Sequence, residues 1–264
     1  MEALIDADLI AYRCAATCED MDTADMAVAR CNYLTETLLH STQAVNYTLF
    51  LTGSDNFRKT INPEYKANRK DKPRPKWLQA CREALVLEWQ AVVTEGIEAD
   101  DAMGIAQCQA THDDTVICSL DKDMLQVPGN HFNWVKDELQ TVTPEQGLKF
   151  FWKQMIMGDV ADNIQGIRGL GTVKAAKLID PIYEDTLEEL DATLYKLVSD
   201  LYSDTHRFNV NAKCLWIQRS QGDIWLSQEE RQHAQLLKTT DIEVVSSIPL
   251  LNSYKQTDLP LDTK

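Results

Sequence analysis

The chain has 264 residues, 44% of them hydrophobic and 25% charged, with a formal net charge of −15. That length buries the core of one large α/β domain or two small ones, and the composition is that of a folded globular chain. A run of about 18 apolar residues, the minimum for a membrane-spanning helix, is absent, and the opening Met1-Glu2-Ala3-Leu4-Ile5-Asp6 lacks the basic start and apolar core of a signal peptide. A cytoplasmic protein with no membrane partner is therefore expected. The seven cysteines are scattered, odd in number and without a CxxC pair, so reduced thiols are expected and a zinc site is not.

In chain order, Ala3 to Ile5 reads as a short strand ending on Asp6, with a helix from about Leu9. Thr23 is placed to cap a second helix, where Ala27, Cys31, Leu34 and Leu38 recur at helical spacing. Tyr47 to Leu51 reads as a buried strand stopped by Thr52-Gly53. Phe57 to Pro75 reads as irregular, and Pro75 as the start of an amphipathic helix running through Trp77, Cys81, Leu85 and Glu88. Val92 to Thr94 is a third strand, Glu98 to Gln109 a helix, and Thr115 to Leu120 a β-branched fourth strand of the kind covered on both faces. Phe132 to Val135 and Leu139 to Val142 are shorter strands. Thr143-Pro144-Glu145-Gln146 starts a helix that runs to about Met157. Past Pro181 the pattern is helical but without legible boundaries.

Strands alternating with helices predict an α/β fold, a mainly parallel central sheet with helices on both faces. Ligands in such sheets bind outside the carboxyl ends of the strands. The acids cluster there: Asp6 with Asp8, Asp55, Glu98 with Asp100 and Asp101, Asp121 with Asp123, and Asp159 with Asp162. Carboxylates gathered at one edge repel and raise each other's pKa values, and two hard divalent ions such as Mg²⁺ or Mn²⁺ remove that penalty. Such a pair clamps the attacking and leaving oxygens of an in-line displacement at phosphorus. None of the five histidines lies inside a cluster, which argues against a histidine-ligated zinc hydrolase. Asp8 is either an outer ligand or a helix cap.

The negative sum hides a pattern. Between Asp55 and Arg82 there are nine basic residues against three acidic ones, and between Asn163 and Ile179 three basic residues and no acid. Two basic patches around an acidic centre suit a nucleic-acid phosphodiesterase. In Tyr65-Lys66-Ala67-Asn68-Arg69-Lys70, Lys66 and Arg69 are placed to stabilise charge developing on a phosphate, Tyr65 to stack on a base, and Lys70 to add to the basic surface. Gly166-Ile167-Arg168-Gly169-Leu170-Gly171-Thr172-Val173-Lys174 is a glycine hairpin opening a helix. Its free N–H groups, with Lys174 and Lys177 one turn on, suit a phosphate backbone gripped without reading sequence.

With these motifs in this order, residues 3 to 180 resemble the 5′-nuclease (flap endonuclease) superfamily, most closely the phage-type 5′→3′ exonucleases, and are similar also to the 5′-nuclease domain of bacterial DNA polymerase I. The resemblance implies a PIN-like nuclease core over 1–165 with a helical arch at about 57–90, and a helix–three-turn–helix element with a C-terminal helical region over 166–264 packed on it as one structural unit. It implies that Asp6, Asp55, Glu98, Asp100 and Asp101 serve a first metal site and Asp121, Asp123, Asp159 and Asp162 a second. It places Lys66 and Arg69 at the base of the arch. It implies that downstream duplex is held by Gly166, Arg168, Gly169, Gly171, Lys174 and Lys177, in some members with a K⁺ bound at the hairpin. The implied reaction is two-metal hydrolysis of DNA, with RNA primers as a further substrate, near a 5′ end, flap or nick by a monomer, leaving 5′-phosphates. Two other readings use fewer of these motifs. A haloacid-dehalogenase-like phosphatase would make Asp6 a nucleophile, and a non-catalytic DNA-junction-binding protein would use the acids for structural ions.

Overall fold

The structure is a computed structural model that describes residues 1–110 and 114–231. The chain divides into two compact units, Met1–Trp225 and Leu226–Lys264. In the second unit residues 226–231 are described. There Ser227 N–H donates to Glu230 Oε2 and Glu230 N–H to Ser227 Oγ, a capping box that opens a helical turn. The remainder of the expected C-terminal helical region lies outside the described residues.

The first unit is organised by a six-stranded sheet of β1 (Glu2–Asp6), β2 (Asn46–Thr52), β3 (Val92–Thr94), β4 (Thr115–Cys118), β5 (Gly129–Asn133) and β6 (Glu138–Val142), in the order β3-β2-β1-β4-β5-β6. The first five strands run parallel, and β6 returns antiparallel to β5. The period of two in the strand sequences decides which face each side chain joins. Ala3, Ile5, Leu49, Leu51, Val116 and Cys118 enter one core. That core is covered by α1 (Ala7–Ala16), α2 (Asp25–Thr42) and, beyond a short α3 (Phe57–Ile61), α4 (Leu78–Trp89). Leu4, Phe50 and Ile117 face the other way, onto Ala99 and Met103 of α5 (Ala99–Gln109). The apolar Val116-Ile117-Cys118 run of β4 follows from burial on both sides.

A second helical layer holds its own core. It comprises α6 (Pro144–Met157), α7 (Thr172–Ile179), α8 (Leu187–Leu201) and α9 (Thr205–Leu215). The α6 start follows its sequence: Thr143 Oγ1 accepts Gln146 N–H, Gln146 Oε1 accepts Thr143 N–H, and Pro144 needs no partner. Leu148, Phe151, Trp152 and Met155 then recur on its buried face and meet Ile179, Leu194 and Phe208. Phe151 and Trp216 pack edge to face at 5.0 Å.

Three local expectations are corrected. Residues 57–75 are not irregular throughout, because Asn56 Oδ1 accepts Arg58 N–H and nucleates α3, and Ala67–Arg69 form a 3₁₀ turn. The next helix begins at Leu78 rather than Pro75, whose carbonyl accepts Leu78 N–H in a preceding turn. The fourth strand stops at Cys118, and Ser119 turns its hydroxyl to Asp6 instead of extending the ladder. Two short strands, β7 (Gly158–Asp159) and β8 (Ile164–Gln165), pair antiparallel after α6. A Cβ on Gly166 would lie 2.2 Å from Met157 C, and one on Gly158 2.3 Å from Gly166 N. Gly158 also has φ 71°, so both positions demand glycine.

Candidate metal centre and nucleic-acid interface

Neighbouring parallel strands share one carboxyl edge. Asp6 ends β1, Asp55 follows β2, Glu98 and Asp100 open α5 after β3, and Asp121 follows β4. Asp6 is 4% exposed. Its Oδ1 accepts Leu9 N–H at 3.0 Å and caps α1, while its Oδ2 accepts the Ser119 hydroxyl at 2.8 Å. Burial pushes its pKa up to about 7 against both bonds, with Asp8 and Asp121 adding repulsion. Asp100 is raised by burial and then by the charges of Asp6, Asp121 and Glu98. Asp123 is raised to about 8 by burial, Asp121 and Asp159, and its Oδ1 is buried without a hydrogen-bond partner. Asp121 caps the turn after β4 by accepting Asp123 N–H at 2.9 Å. Asp159 sits in β7, where its Oδ1 accepts the N–H groups of Ala161 and Asp162 at 2.6 and 3.2 Å. Asp55 is exposed on the turn after β2, taking the Ser54 hydroxyl at 3.3 Å.

The segment carrying Tyr65 and Arg69 closes one side of this edge. Its backbone is stitched to the β7–β8 loop: Lys66 N–H donates to Asp162 O, Asn68 Nδ2 to Val160 O, and Asn163 Nδ2 to Glu64 O. Lys66, at φ 56°, pairs its Nζ with Glu98 Oε1 and lies 3.7 Å from Asp162 Oδ2. Arg69 donates from Nη2 to Asp162 Oδ1 at 2.6 Å and from Nε to Ala161 O at 2.9 Å. Burial pushes Glu98 up, but Lys66 and Arg58 outweigh it and hold that carboxyl below its usual range. At Asp162 burial outweighs Lys66, Tyr65 and Arg69, and the carboxyl is raised.

Two residues are used differently from the expectation. Tyr65 is 3% exposed and packs in the second helical core. Its hydroxyl lies 2.8 Å from both Glu98 Oε2 and Asp162 Oδ2, so it braces the two acids rather than offering a ring to a base. Asp101 is 0% exposed and turns from the edge. Its oxygens take Arg58 Nη1 at 2.5 Å and Nη2 at 2.8 Å, and also the N–H groups of Glu98 and Gln218. Arg58 itself donates onward to Cys214 O and Trp216 O. The sequence reading missed Arg58, Asn68, Arg82 and Ser119. Each lay in view but was paired with a residue far along the chain. Asp8 takes Arg82 Nη1 at one oxygen and Thr52 N–H at the other.

The Gly166–Gly171 hairpin follows β8, with Ile167 and Leu170 partly buried against the second core. Arg168, Gly169, Gly171, Lys174 and Lys177 are exposed, as is Lys70. Gly169 has φ 83° with open space around its missing Cβ. Lys174 Nζ donates to its carbonyl at 2.8 Å, closing the hairpin over the start of α7.

The donor chemistry fits hard divalent ions. Asp6, Asp100, Asp121, Asp123 and Asp159 are all oxygen donors, and among the described residues no ion pair reaches them. Their mutual repulsion and the orphaned Asp123 Oδ1 are what such an ion relieves. Among the described residues, no three acidic, histidine or cysteine side chains yet gather round one point tightly enough to hold an ion. All seven cysteines are free thiols, and among the described residues no helix is long and apolar enough to cross a membrane.

A mainly parallel sheet with acids along its carboxyl edge defines an α/β protein of the resolvase-like class. The chain belongs to the family described as 5′-3′ exonuclease, N-terminal resolvase-like domain, which matches residues 2–152. It is 35% identical over 156 residues to a DNA polymerase I of Rhizobium leguminosarum, covering 53% of this chain and 15% of that protein. It is 32% identical over 149 residues to an exodeoxyribonuclease of Enterobacteria phage T3, covering 54% and 49%. The chain thus spans about half or less of the length of these curated relatives. Among solved structures, a T5 5′-exonuclease with bound divalent metal ions (zinc) superposes with a TM-score of 0.57 at 18% identity, covering 81% of this chain and 97% of that one. A bacteriophage T5 flap endonuclease complex with DNA and metal ions gives 0.54 at 17%, covering 91% and 99%. The likeness in fold bears out the expected α/β architecture with helices on both faces of the sheet.

Proposed function

We propose that this chain is a divalent-metal-dependent 5′ nuclease that hydrolyses DNA phosphodiester bonds near 5′ ends, flaps or nicks beside duplex, as a cytoplasmic monomer. The observation that carries the reading is the edge where burial and the neighbouring carboxylates raise Asp6, Asp100 and Asp123, while among the described residues no ion pair reaches these three, Asp121 or Asp159. Asp6, Asp100 and Glu98, with Asp55 through water, would hold one ion. Asp121, Asp123, Asp159 and Asp162 would hold the other. Asp101 would support rather than ligate, since it is fully buried, turned from the edge, and bound at two points by Arg58. Two Mg²⁺ ions, for which Mn²⁺ substitutes, supply activation of the attacking water and stabilisation of the leaving oxygen.

The chain's own residues do the rest. Burial works against the charge on Lys66, but Glu98 and Asp162 more than offset it and raise its pKa, so the ammonium stays charged beside the cleft. Lys66 and Arg69 stabilise the extra negative charge on the phosphate during displacement. Arg168, Lys174, Lys177 and Lys70 take the duplex and flap backbone, while N–H groups of the Gly166–Gly171 hairpin donate to phosphate oxygens, with a K⁺ ion as a further ligand there. A phosphatase using Asp6 as nucleophile is disfavoured, because it leaves Glu98, Asp100, Lys66 and the Gly166–Gly171 hairpin without a role. The test is incubation with Mg²⁺ and end-labelled flap, nicked, blunt and single-stranded DNA. Short 5′ products ending in phosphate, from flap and nicked substrates first, are expected. Intact DNA at saturating Mg²⁺ and Mn²⁺ would overturn the proposal.

A further inference from the structure

Asp8 stands two residues beyond Asp6, and its carboxylate is shared out completely. Oδ2 accepts Thr52 N–H at 2.8 Å, and Oδ1 takes Arg82 Nη1. The same guanidinium donates from Nη2 to Thr52 O at 2.7 Å. Thr52 has one more bond, its Oγ1 accepting Ala99 N–H at 3.0 Å. Every polar group of this one residue at the end of β2 is therefore held by a different element: α1 through Asp8, α4 through Arg82, and the start of α5 through Ala99. The starts of α1 and α5, and the end of β2 itself, lie beside the first group of acids. Asp6 precedes Asp8 by two residues, Asp55 follows Thr52 by three, and Ala99 lies between Glu98 and Asp100.

We infer that Asp8 and Arg82 form a positioning pair for the first ion. Asp8 does not ligate. It fixes the spacing of Asp6, Asp55 and Asp100 through Thr52, and Arg82 neutralises Asp8, keeps it turned from the cleft and ties α4 to the same point. A carboxylate left without Arg82 would be free to swing toward an ion two residues away, whereas a neutral residue at position 8 would leave the guanidinium and the Thr52 N–H without their partner. The inference rests on reading the acidic edge as an ion site.

The experiment is Mn²⁺ binding to the full chain, read from the free-ion electron paramagnetic resonance signal, beside the melting temperature of the ion-free protein. The proteins are the parent, Asp8→Asn, Arg82→Gln, Arg82→Lys and the Asp8→Asn/Arg82→Gln double variant. Each single neutral variant should weaken the tighter Mn²⁺ site by about 10-fold or more, the range for partners that orient ligands. The double variant should be no worse than either single one, and Arg82→Lys should fall between parent and Arg82→Gln. Tighter Mn²⁺ binding in Arg82→Gln would overturn the inference, since it would make Asp8 a ligand released from a competitor. Unchanged Mn²⁺ affinity with a lowered melting temperature would overturn it too, leaving a clamp that matters only for folding. If Arg82→Gln does not fold, Asp8→Asn and Arg82→Lys decide by the same criteria. A parent protein that binds no Mn²⁺ removes the ion site itself, and this inference with it, whereas a binding parent matched by its variants overturns this inference alone.

Discussion

Replacing Arg58 with methionine keeps most of the side-chain stem and removes the charge. Arg58 is 2% exposed and Asp101 0%, so solvent does not screen their pair. Two charge-assisted bonds of 2.5 and 2.8 Å would be lost, and the carbonyls of Cys214 and Trp216 would lose a donor. Breaking a buried pair from one side leaves an uncompensated charge and costs about 3–5 kcal/mol. Against a typical folding free energy of about 5–15 kcal/mol, that is a large share. With a urea slope of about 2–3 kcal/mol/M, the unfolding midpoint should fall by more than about 1 M. Tryptophan fluorescence follows it directly, because Trp216, packed on Phe151, takes Arg58 at its carbonyl. Asp101→Leu in the Arg58→Met background should recover part of the loss, as both charges are then gone. A single Arg58→Met variant within about 1 kcal/mol of the parent, or a double variant less stable than the two single losses added, would refute the account.

Asp121→Ala should abolish cleavage in Mg²⁺ by several orders of magnitude while DNA binding, measured by fluorescence anisotropy, stays near that of the parent; normal cutting would remove Asp121 from the site. Lys174→Ala should lower the slope of log binding constant against log salt by about 0.9, the contribution of one phosphate contact, and an unchanged slope would take the hairpin off the duplex. His131 supplies a pH test. Burial lowers its pKa against the hydrogen bond its ring makes to Val127 O. Above about pH 6.5 the folded and unfolded forms are both neutral, and no stability depends on it. As pH falls below about 6.5 the unfolded chain takes a proton that the fold resists, so stability drops at up to about 1.4 kcal/mol per pH unit until the folded pKa is reached. Urea titrations at pH 7.5 and 5.5 should show a smaller acid loss for His131→Gln than for the parent, and equal losses would refute the assignment.

The strands and most helices were legible because their signals are local: β-branched runs, alternation by two, Thr143-Pro144, and acids where the apolar runs stop. Their convergence followed from the parallel order alone, since parallel strands end together. The misreadings at the site share a cause. Arg58, Arg82 and Tyr65 sit in a basic stretch that reads as a nucleic-acid surface, yet Arg58 meets an acid 43 residues away and Arg82 one 74 residues away. Tyr65 reaches Asp162 across 97 residues. Part of the local positive excess is thus consumed inside the fold, which no count of charges along the chain reveals. The five-residue α3 escaped notice because it is too short for a helical period and rests on the single Asn56 cap.

The β7–β8 ladder has a further consequence. Asp159 lies in β7, Asp162 in the turn after it, and the glycine hairpin leaves from β8, while Gly158 and Gly166 press backbone on backbone with no room for even a methyl group. On the proposed reading, the place where the double helix is grasped and the place where the strand is severed are joined by a rigid gauge a few residues long. The length of the released fragment is then measured out by main-chain geometry and not by the bases that pass through.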